Sequence, residues 1–330
     1  MKKFYIVGVT FEFEGFFAIV NSILDHMIYA YNNGYVPLVD MMHYNNQYFK
    51  DGRIYKDNVW EYFFEQPGGL ALENIPINSE VIISKNVQFP DNSITIFNED
   101  IPINNLASDV VMKKKEIYKK LLKFNGEIQK YLDTNTSKIL RGDDVLGILC
   151  RGTDYTKRRS YGEHIQPNIK DVIKKTKEVL KKYPDIKKIY LATEDEEIYN
   201  YFKAEFGNVL LENIQYKYKY NSIEKQLLSD ISVNRADHNY NLAKEYLLSI
   251  YILSRCKYFI GGRTTGTKWA WIMADNWIYT HVWDLGLYGK TFKEKLYSVT
   301  TERKNDKSYK IYQICGLKFK KGLVAPFHKK

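Results

Sequence analysis

The chain has 330 residues, enough for two domains, and its 45% hydrophobic and 27% charged residues are ordinary for a globular protein. Its net charge of +10 favours anionic partners such as nucleotide phosphates, nucleic acid or an anionic membrane face. The absence of an apolar run of about 18 residues excludes a membrane-spanning helix, and three widely spaced cysteines are typical of reduced thiols in a cytosol rather than of a metal cage.

The first half of the chain alternates short strands with helices. Residues 4–9 predict a strand, apolar residues at helical spacing from 16 to 32 predict a helix, and residues 36–39 predict a second strand. This β–α–β order predicts a parallel sheet. One long charged helix is predicted from 109 to 132, and the polar residues 133–137 are predicted to end it. That stretch divides an N-terminal domain, residues 1–137, from a C-terminal domain, residues 138–330.

The second half predicts a doubly wound, Rossmann-like domain. Its predicted strands lie at 145–150, 188–193 and 258–260, and its predicted helices follow Pro167 and residue 194, cover 241–255 and begin near Thr264. The lysines at 318–321 and 328–330 alternate with apolar residues. That pattern is more typical of a disordered tail than of a membrane contact.

Polar clusters follow three of these strands, at the edge where open α/β sheets bind their ligands. The third cluster, residues 261–268, is a glycine-rich turn that opens a helix. Exposed N–H groups and the helix dipole make such a turn an anion site, and Gly266 is one of the candidate donor-binding residues there. Thr264 or Thr265 either caps the helix or bonds a phosphate oxygen. Lys268 does not directly follow Gly266, which argues against an ATPase or GTPase loop; a plain helix cap is the alternative.

The first cluster, residues 151–155, and the second, residues 193–195, supply one strong cation and several acids. Arg151 is suited to clamp two phosphate oxygens, and Asp154 to hold the guanidinium; the alternative is that the pair only fixes its loop. Thr193 is suited to reach a ligand hydroxyl. Glu194 and Asp195 are predicted to reach a ribose or base, or else only to start a helix.

In this order, the motifs resemble those of the fucosyltransferase superfamily, which includes α1,6-, α1,2- and protein O-fucosyltransferases. Residues 149–154 stand where the superfamily has His-x-Arg-Arg-(Thr or Gly)-Asp, and residues 192–195 resemble its Ala-Thr-Asp-Asp. Residues 253–265 resemble its Leu-Ser…Ser-Ser block, and residues 14–21 more weakly resemble its first loop. The motif histidine is replaced by Leu149 and the second arginine by Gly152.

The resemblance implies an α/β, GT-B-like fold with two Rossmann-like domains facing a cleft. It also implies an inverting glycosyltransferase with GDP-fucose as donor substrate and no cofactor or metal. Arg151 takes the role of the arginine that grips the donor β-phosphate, and Arg263 joins the donor-binding candidates. Glu163, near where α1,6 relatives carry a glutamate, is the first candidate general base and Glu14 the second. Candidates on the acceptor side are Gly15, Phe16 and Asn21.

Three alternatives stay open at this stage. One is the same fold with another nucleotide-sugar donor, and another is a non-catalytic sugar-binding relative. The third is a nucleic-acid-binding protein, although no recognisable module surrounds the basic aromatic stretch 217–220. The preferred hypothesis is a cytoplasmic enzyme, in peripheral contact with the anionic inner face of the membrane, that transfers a sugar to a glycan hydroxyl in surface polysaccharide synthesis.

Overall fold

The computed structural model describes residues 2–8, 14–84, 109–219, 231, 233–275, 277–304 and 307–322. For residues 109–114, 154, 301–304, 307–308 and 322 it describes the backbone alone. Two compact units divide the chain. Unit 1 comprises Met1–Arg141, Ser232–Arg255 and Lys268–Asp275; unit 2 comprises Gly142–Ile231, Cys256–Thr267 and Asn276–Lys330. The first division lies close to the predicted boundary at residue 137.

Unit 1 is built on a three-stranded parallel sheet in the order β2-β1-β3. Its strands are β1 (Lys3–Val7), β2 (Val36–Val39) and β3 (Glu80–Ile83), and helix α1 (Phe16–Asn32) connects the first two. The apolar side of α1 is buried, as its spacing predicts. Two short 3₁₀ turns follow β2, at Val59–Tyr62 and Leu72–Asn74.

The predicted single helix from 109 to 132 is wrong, because two helices occupy this region. They are α2 (Asp109–Leu121) and α3 (Gly126–Leu140). The Asn125 side chain accepts a hydrogen bond from Ile128 N at 2.8 Å and so caps a new helix start. The predicted stop at residues 133–137 lies inside α3, where Asp133 Oδ1 accepts a hydrogen bond from the Tyr251 hydroxyl at 2.7 Å.

Tyr251 belongs to α7 (His238–Arg255), which the sequence assigns to the C-terminal domain but which groups with unit 1. Ten residues of α7 are buried, among them Leu247, Ile250 and Leu253. A helix with so many buried positions needs apolar partners on several sides, and α3 is one of its neighbours.

Unit 2 contains a four-stranded parallel sheet in the order β5-β4-β6-β7. The strands are β4 (Val145–Leu149), β5 (Lys188–Ala192), β6 (Tyr258–Gly262) and β7 (Tyr279–Trp283). β4 and β6 are buried along their whole length, as expected for central strands of a parallel sheet. The helices of unit 2 are α4 (Thr153–Arg158), α5 (Ile169–Lys182) and α6 (Glu196–Phe206). Helix α8 (Thr265–Met273) begins in unit 2, and from Lys268 onward it is assigned to unit 1. The predicted α/β class is confirmed.

The chain continues through α9 (Phe292–Leu296) into an antiparallel sheet of β8 (Tyr297–Lys304), β9 (Lys307–Ile314) and β10 (Leu317–Gly322). The expectation of a disordered tail is therefore wrong for residues 318–321, which lie in β10. Residues 328–330 lie outside the described residues. Within the described part of the chain, no helix is long and apolar enough to cross a membrane.

Candidate active site

The three polar clusters follow strand ends that lie side by side in the unit 2 sheet. Leu149, the last residue of β4, pairs in register with Ala192 at the end of β5 and with Gly261 in β6. The strands are parallel, so the residues that follow them emerge at one edge. This edge carries the loop of Arg151, the segment that begins at Thr193, and the turn after Gly262.

Arg151 is held in place by a buried carboxylate from the neighbouring strand end. Its guanidinium Nη1 lies 3.3 Å from Glu194 Oε2, and the Glu194 side chain is only 3% exposed. Glu194 Oε1 also accepts hydrogen bonds from Gly152 N at 3.2 Å and from the Thr153 hydroxyl at 3.0 Å. One carboxylate therefore positions the guanidinium and the loop that carries it, and Arg151 remains partly exposed toward solvent.

Asp195, the residue after Glu194, also holds the loop that carries Arg151. Its Oδ2 accepts a hydrogen bond from Thr153 N at 2.8 Å, while Oδ1 accepts from Glu197 N and Ile198 N at the start of α6. Asp195 is thus the N-cap of α6 and an anchor of the Arg151 loop at once. Binding of a ribose or base by these two acids stays a prediction. Thr193 is fully buried, and its hydroxyl accepts from Asp195 N.

The loop between β4 and α4 is conformationally constrained. Thr153 has a φ of +48°, a left-handed conformation that is rare for a β-branched residue. Its N–H and hydroxyl bonds to the two acids offset that strain. Beside it, a Cβ on Gly152 would lie 2.4 Å from Asp195 Oδ2 and 2.7 Å from Ile198 Cδ1. The backbone of the loop therefore packs directly against the start of α6.

Asp154, the predicted partner of Arg151, lies in α4, and its side chain lies outside the described residues. Its role stays a prediction. The contact that the structure shows is with Glu194 instead, and the sequence signal for it was the position of two acids directly after a buried strand. Register then brings the ends of β5 and β4 together.

The third cluster forms a capped helix start, as predicted. Thr264 Oγ1 accepts a hydrogen bond from Thr267 N at 3.1 Å, and the Thr267 hydroxyl donates to Gly262 O at 2.6 Å. Thr264 is therefore the cap of α8, and the helix begins with Thr265 and Gly266. The N–H groups of a first helical turn have no partners within the helix and carry the positive end of its dipole. This geometry suits an anion.

Arg263, in the same turn, pairs with an acid that follows β7. Its Nη1 lies 2.9 Å from Asp284 Oδ2, and its carbonyl oxygen accepts a hydrogen bond from Gln166 Nε2 at 3.1 Å. Gly262 faces Gln166 so closely that a Cβ would lie 2.0 Å from Gln166 Oε1. The loop before α5 therefore packs closely on the glycine turn, and a side chain at position 262 would displace Gln166.

Glu163, the first candidate base, is exposed and lies in the loop between α4 and α5. Its Oε2 accepts a hydrogen bond from the Tyr155 hydroxyl at 2.5 Å. The guanidinium carbon of Arg151 lies 5.6 Å from the centre of the Tyr155 ring. Tyr155 thus connects the candidate phosphate-binding arginine with the candidate base. The Glu163 backbone is anchored as well, since its carbonyl accepts from Tyr288 N at 2.9 Å.

Cys150, at the end of β4, is unsuited to act as a nucleophile. Complete burial raises the pKa of its thiol well above the usual range, and the nearby carboxylates of Glu194 and Asp195 raise that pKa further. A thiol that stays protonated is a weak nucleophile. Cys150 packs in the apolar core of unit 2, together with Ile148 and Leu191.

The remaining candidates lie in unit 1, at the start of α1. Glu14 is exposed, and its carbonyl oxygen accepts from Gln47 Nε2 at 2.8 Å; Gly15 is the N-cap of the helix. Phe16 is buried, with its ring 4.8 Å from that of Phe63, and Asn21 Oδ1 accepts from Trp269 Nε1 at 2.8 Å. Their roles beside an acceptor stay predictions. The described residues include no group of three or more His, Cys, Asp or Glu side chains arranged to hold a metal ion.

Comparison with known proteins gives similarity in structure alone. No protein-family model matches the chain, and no curated protein matches it in sequence. Among solved structures, the chain is similar to the fucosyltransferase NodZ from Bradyrhizobium, at 15% identity and a TM-score of 0.46. That match covers 83% of this chain and 94% of NodZ. NodZ, an alpha-1,6-fucosyltransferase, has also been co-crystallised with GDP and soaked with GDP-fucose.

Two further solved structures are similar at lower identity. A mutant of Arabidopsis thaliana FUT1 in complex with GDP is 12% identical, with a TM-score of 0.43, over 86% of this chain and 70% of that chain. POFUT1 in complex with GDP-fucose is 10% identical, with a TM-score of 0.41, over 86% and 98%.

Proposed function

We propose that the chain is an inverting, metal-independent glycosyltransferase that moves fucose from GDP-fucose to a glycan hydroxyl in surface polysaccharide synthesis. One observation carries the proposal: Arg151 and the capped start of α8 follow adjacent strand ends at one edge of a parallel sheet. A guanidinium and the positive end of a helix at a shared edge suit the two phosphates of a nucleoside diphosphate. The choice of guanine and fucose rests on the motif resemblance.

In this mechanism the protein stabilises the charge that grows on the leaving diphosphate. Arg151 and the N–H groups of Thr265 and Gly266 interact with the diphosphate more strongly as its bond to the sugar breaks. Glu163 removes the proton of the acceptor hydroxyl, which attacks the anomeric carbon from the face opposite the leaving group. The base at Glu163 and the phosphate ligand at Arg151 are linked through Tyr155.

A calorimetric titration with GDP, UDP, ADP, CMP and dTDP, with and without EDTA, tests the donor. GDP is expected to bind most tightly, with the same affinity in EDTA, because protein groups rather than a metal ion meet the diphosphate. Preference for another nucleoside diphosphate would keep the diphosphate site and replace the donor, whereas preference for CMP would argue against a diphosphate site. If none of the five binds, the transferase proposal is wrong and a non-catalytic relative takes its place.

Glu163→Gln is expected to lower kcat by about 10²-fold or more, since the amide cannot accept the acceptor proton. Affinity for GDP is expected to stay within about threefold, because Glu163 acts on the acceptor. Tyr155→Phe, which removes the 2.5 Å hydrogen bond to the carboxylate, is expected to have a smaller effect on kcat. Steady-state and single-turnover kinetics measure both.

Glu178→Gln is the matched control for Glu163→Gln, because Glu178 is an exposed glutamate of α5 whose partner is Lys175. It is expected to behave like the wild type. A Glu163→Gln enzyme with a kcat within threefold of the wild type would exclude Glu163 as the base, and the same substitution at Glu14 would be measured next.

A further inference from the structure

The antiparallel sheet of β8, β9 and β10 has an inverted distribution of polarity. In β8 and β9, alternating side chains on one face are buried although most are polar: Ser298 is 4%, Thr300 1% and Gln313 3% exposed. The opposite face turns apolar side chains outward. Sheets in water normally place these types the other way round. The outward face of this sheet is therefore built for surroundings other than water.

The register of the strands arranges the outward side chains in rows. One row is Tyr297, Ile314 and Leu317, and the next is Val299, Tyr312 and Phe319. We call these six residues the apolar sheet face. Leu317 is 67% exposed, Tyr297 66% and Phe319 55%. In α9, directly before β8, Phe292 and Leu296 are exposed as well. A contiguous apolar surface of this kind marks an interaction site.

Two lysines lie beside the apolar sheet face, on the same side of the sheet. In the row after Val299, Tyr312 and Phe319, Lys310 and Lys321 are register partners on adjacent strands. Like charges directly opposite each other destabilise a strand pair unless an anion lies near them. Over residues 290–322 the sequence has ten Lys or Arg and three Asp or Glu, a net charge of +7 out of the chain's +10. Most of the chain's excess positive charge thus lies in the segment that forms α9 and this sheet.

We propose that the apolar sheet face binds the surface of an anionic phospholipid membrane. The exposed aliphatic and aromatic side chains enter the boundary between head groups and acyl chains, while Lys310 and Lys321 neutralise lipid phosphates. Lysine stems are apolar and let the ammonium groups reach the head groups from a partly inserted sheet.

Two features of the face favour a membrane over a protein partner. The cations described here are lysines, which are depleted in protein interfaces, where arginine is enriched. A second copy of the chain, related by a two-fold axis, would bring two strongly positive surfaces together. A fluid anionic surface needs no matching shape and offers the opposite charge.

Vesicle flotation with the full chain tests the proposal. The protein is expected to bind phosphatidylcholine vesicles that contain about 30 mol% phosphatidylglycerol at least tenfold more tightly than pure phosphatidylcholine vesicles, and to lose affinity in about 0.5 M salt. The double variant Leu317→Ser/Phe319→Ser is expected to bind at least tenfold more weakly. Lys310→Gln/Lys321→Gln is expected to bind about 25-fold more weakly, at about fivefold for each lysine.

Ile77→Ser is the matched control, because Ile77 is a fully exposed apolar residue of unit 1. It is expected to bind like the wild type. Thermal melting checks that the variants are folded. If Leu317→Ser/Phe319→Ser does not fold, the vesicle binding of Lys310→Gln/Lys321→Gln tests the proposal instead. Three results would each overturn the proposal: no vesicle binding by the wild type, equal binding by all variants, or a wild-type dimer that Leu317→Ser/Phe319→Ser converts to a monomer without any vesicle binding.

Discussion

Arg151→Ala is expected to lower turnover of the sugar donor by about 10²–10³-fold, the loss typical of removing one preorganised charge-stabilising group. Arg151 is partly exposed at the sheet edge and is oriented by Glu194, which is almost completely buried. Its orientation is therefore fixed before the donor binds, so little reorganisation accompanies charge development on the diphosphate. Affinity for the free nucleoside diphosphate is expected to fall as well, because the ground state already carries charge.

The matched control for Arg151→Ala is Lys177→Ala, which removes one positive charge from the exposed α5–α6 pair Lys177–Glu205 in the same unit. Exposed pairs contribute little, so its kinetics are expected to match the wild type. Arg151→Lys keeps the charge but loses the bidentate geometry of the guanidinium. Its turnover is expected to lie between those of the wild type and Arg151→Ala. If Arg151→Ala lowers the melting temperature but leaves nucleotide affinity unchanged, the arginine only supports its loop.

Gly152→Ala is expected to destabilise the protein by about 1–3 kcal/mol, the usual cost of forcing an extra carbon into packed surroundings. The added Cβ would meet Asp195 and Ile198 at distances no real contact shows. Asp195 cannot move aside cheaply, because its two oxygens hold Thr153 N and the first N–H groups of α6. The loop must move instead, and nucleotide affinity is expected to fall with it.

Gly126→Ala serves as the matched control, because a Cβ on Gly126 meets nothing within 4 Å at the start of α3. Alanine is a better helix former than glycine, so this variant is expected to be neutral or slightly stabilised. Thermal melting and nucleotide calorimetry measure both variants. Equal melting temperatures and equal affinities for Gly152→Ala and the wild type would show that the loop is not held by Asp195.

The same packing gives a physical reason for one departure from the motif that the sequence resembles. The motif has a second arginine where this chain has Gly152. A side chain at this position would overlap the capping carboxylate of Asp195. The chain therefore presents one cation fewer beside Arg151.

Strands β1, β2, β4, β5 and β6 and most helices could be predicted, because apolar periodicity and strand-end glycines are local signals. Strands β7 to β10 were not predicted. The edge that collects the three clusters was also predictable, since parallel strands place their carboxyl ends together. The pairing of Arg151 with Glu194 was not, because it joins residues far apart in the chain and depends on the register of β4 with β5. Two acids after a strand carry the same local pattern whether they cap a helix, bind a ligand or anchor a neighbouring loop.

Two larger structural features could not be predicted from local sequence patterns either. The break between α2 and α3 depends on the side-chain cap by Asn125, within a stretch whose charge and periodicity continue on both sides. The strand β10 alternates two apolar residues, Leu317 and Phe319, with lysines, a pattern shared by disordered basic tails. Pairing with β9 supplies the backbone hydrogen bonds that distinguish the two states.

The two units are interleaved along the chain, and this has a consequence for biosynthesis. Unit 1 begins with residue 1 but is complete only with Lys268–Asp275, after most of unit 2 has been made. During translation, the core of unit 1 cannot form completely until α7, with its buried Leu247, Ile250 and Leu253, has been synthesised. A ribosome paused between residues 141 and 231 would therefore carry a nascent chain with exposed apolar surface, a substrate for chaperones rather than a finished domain.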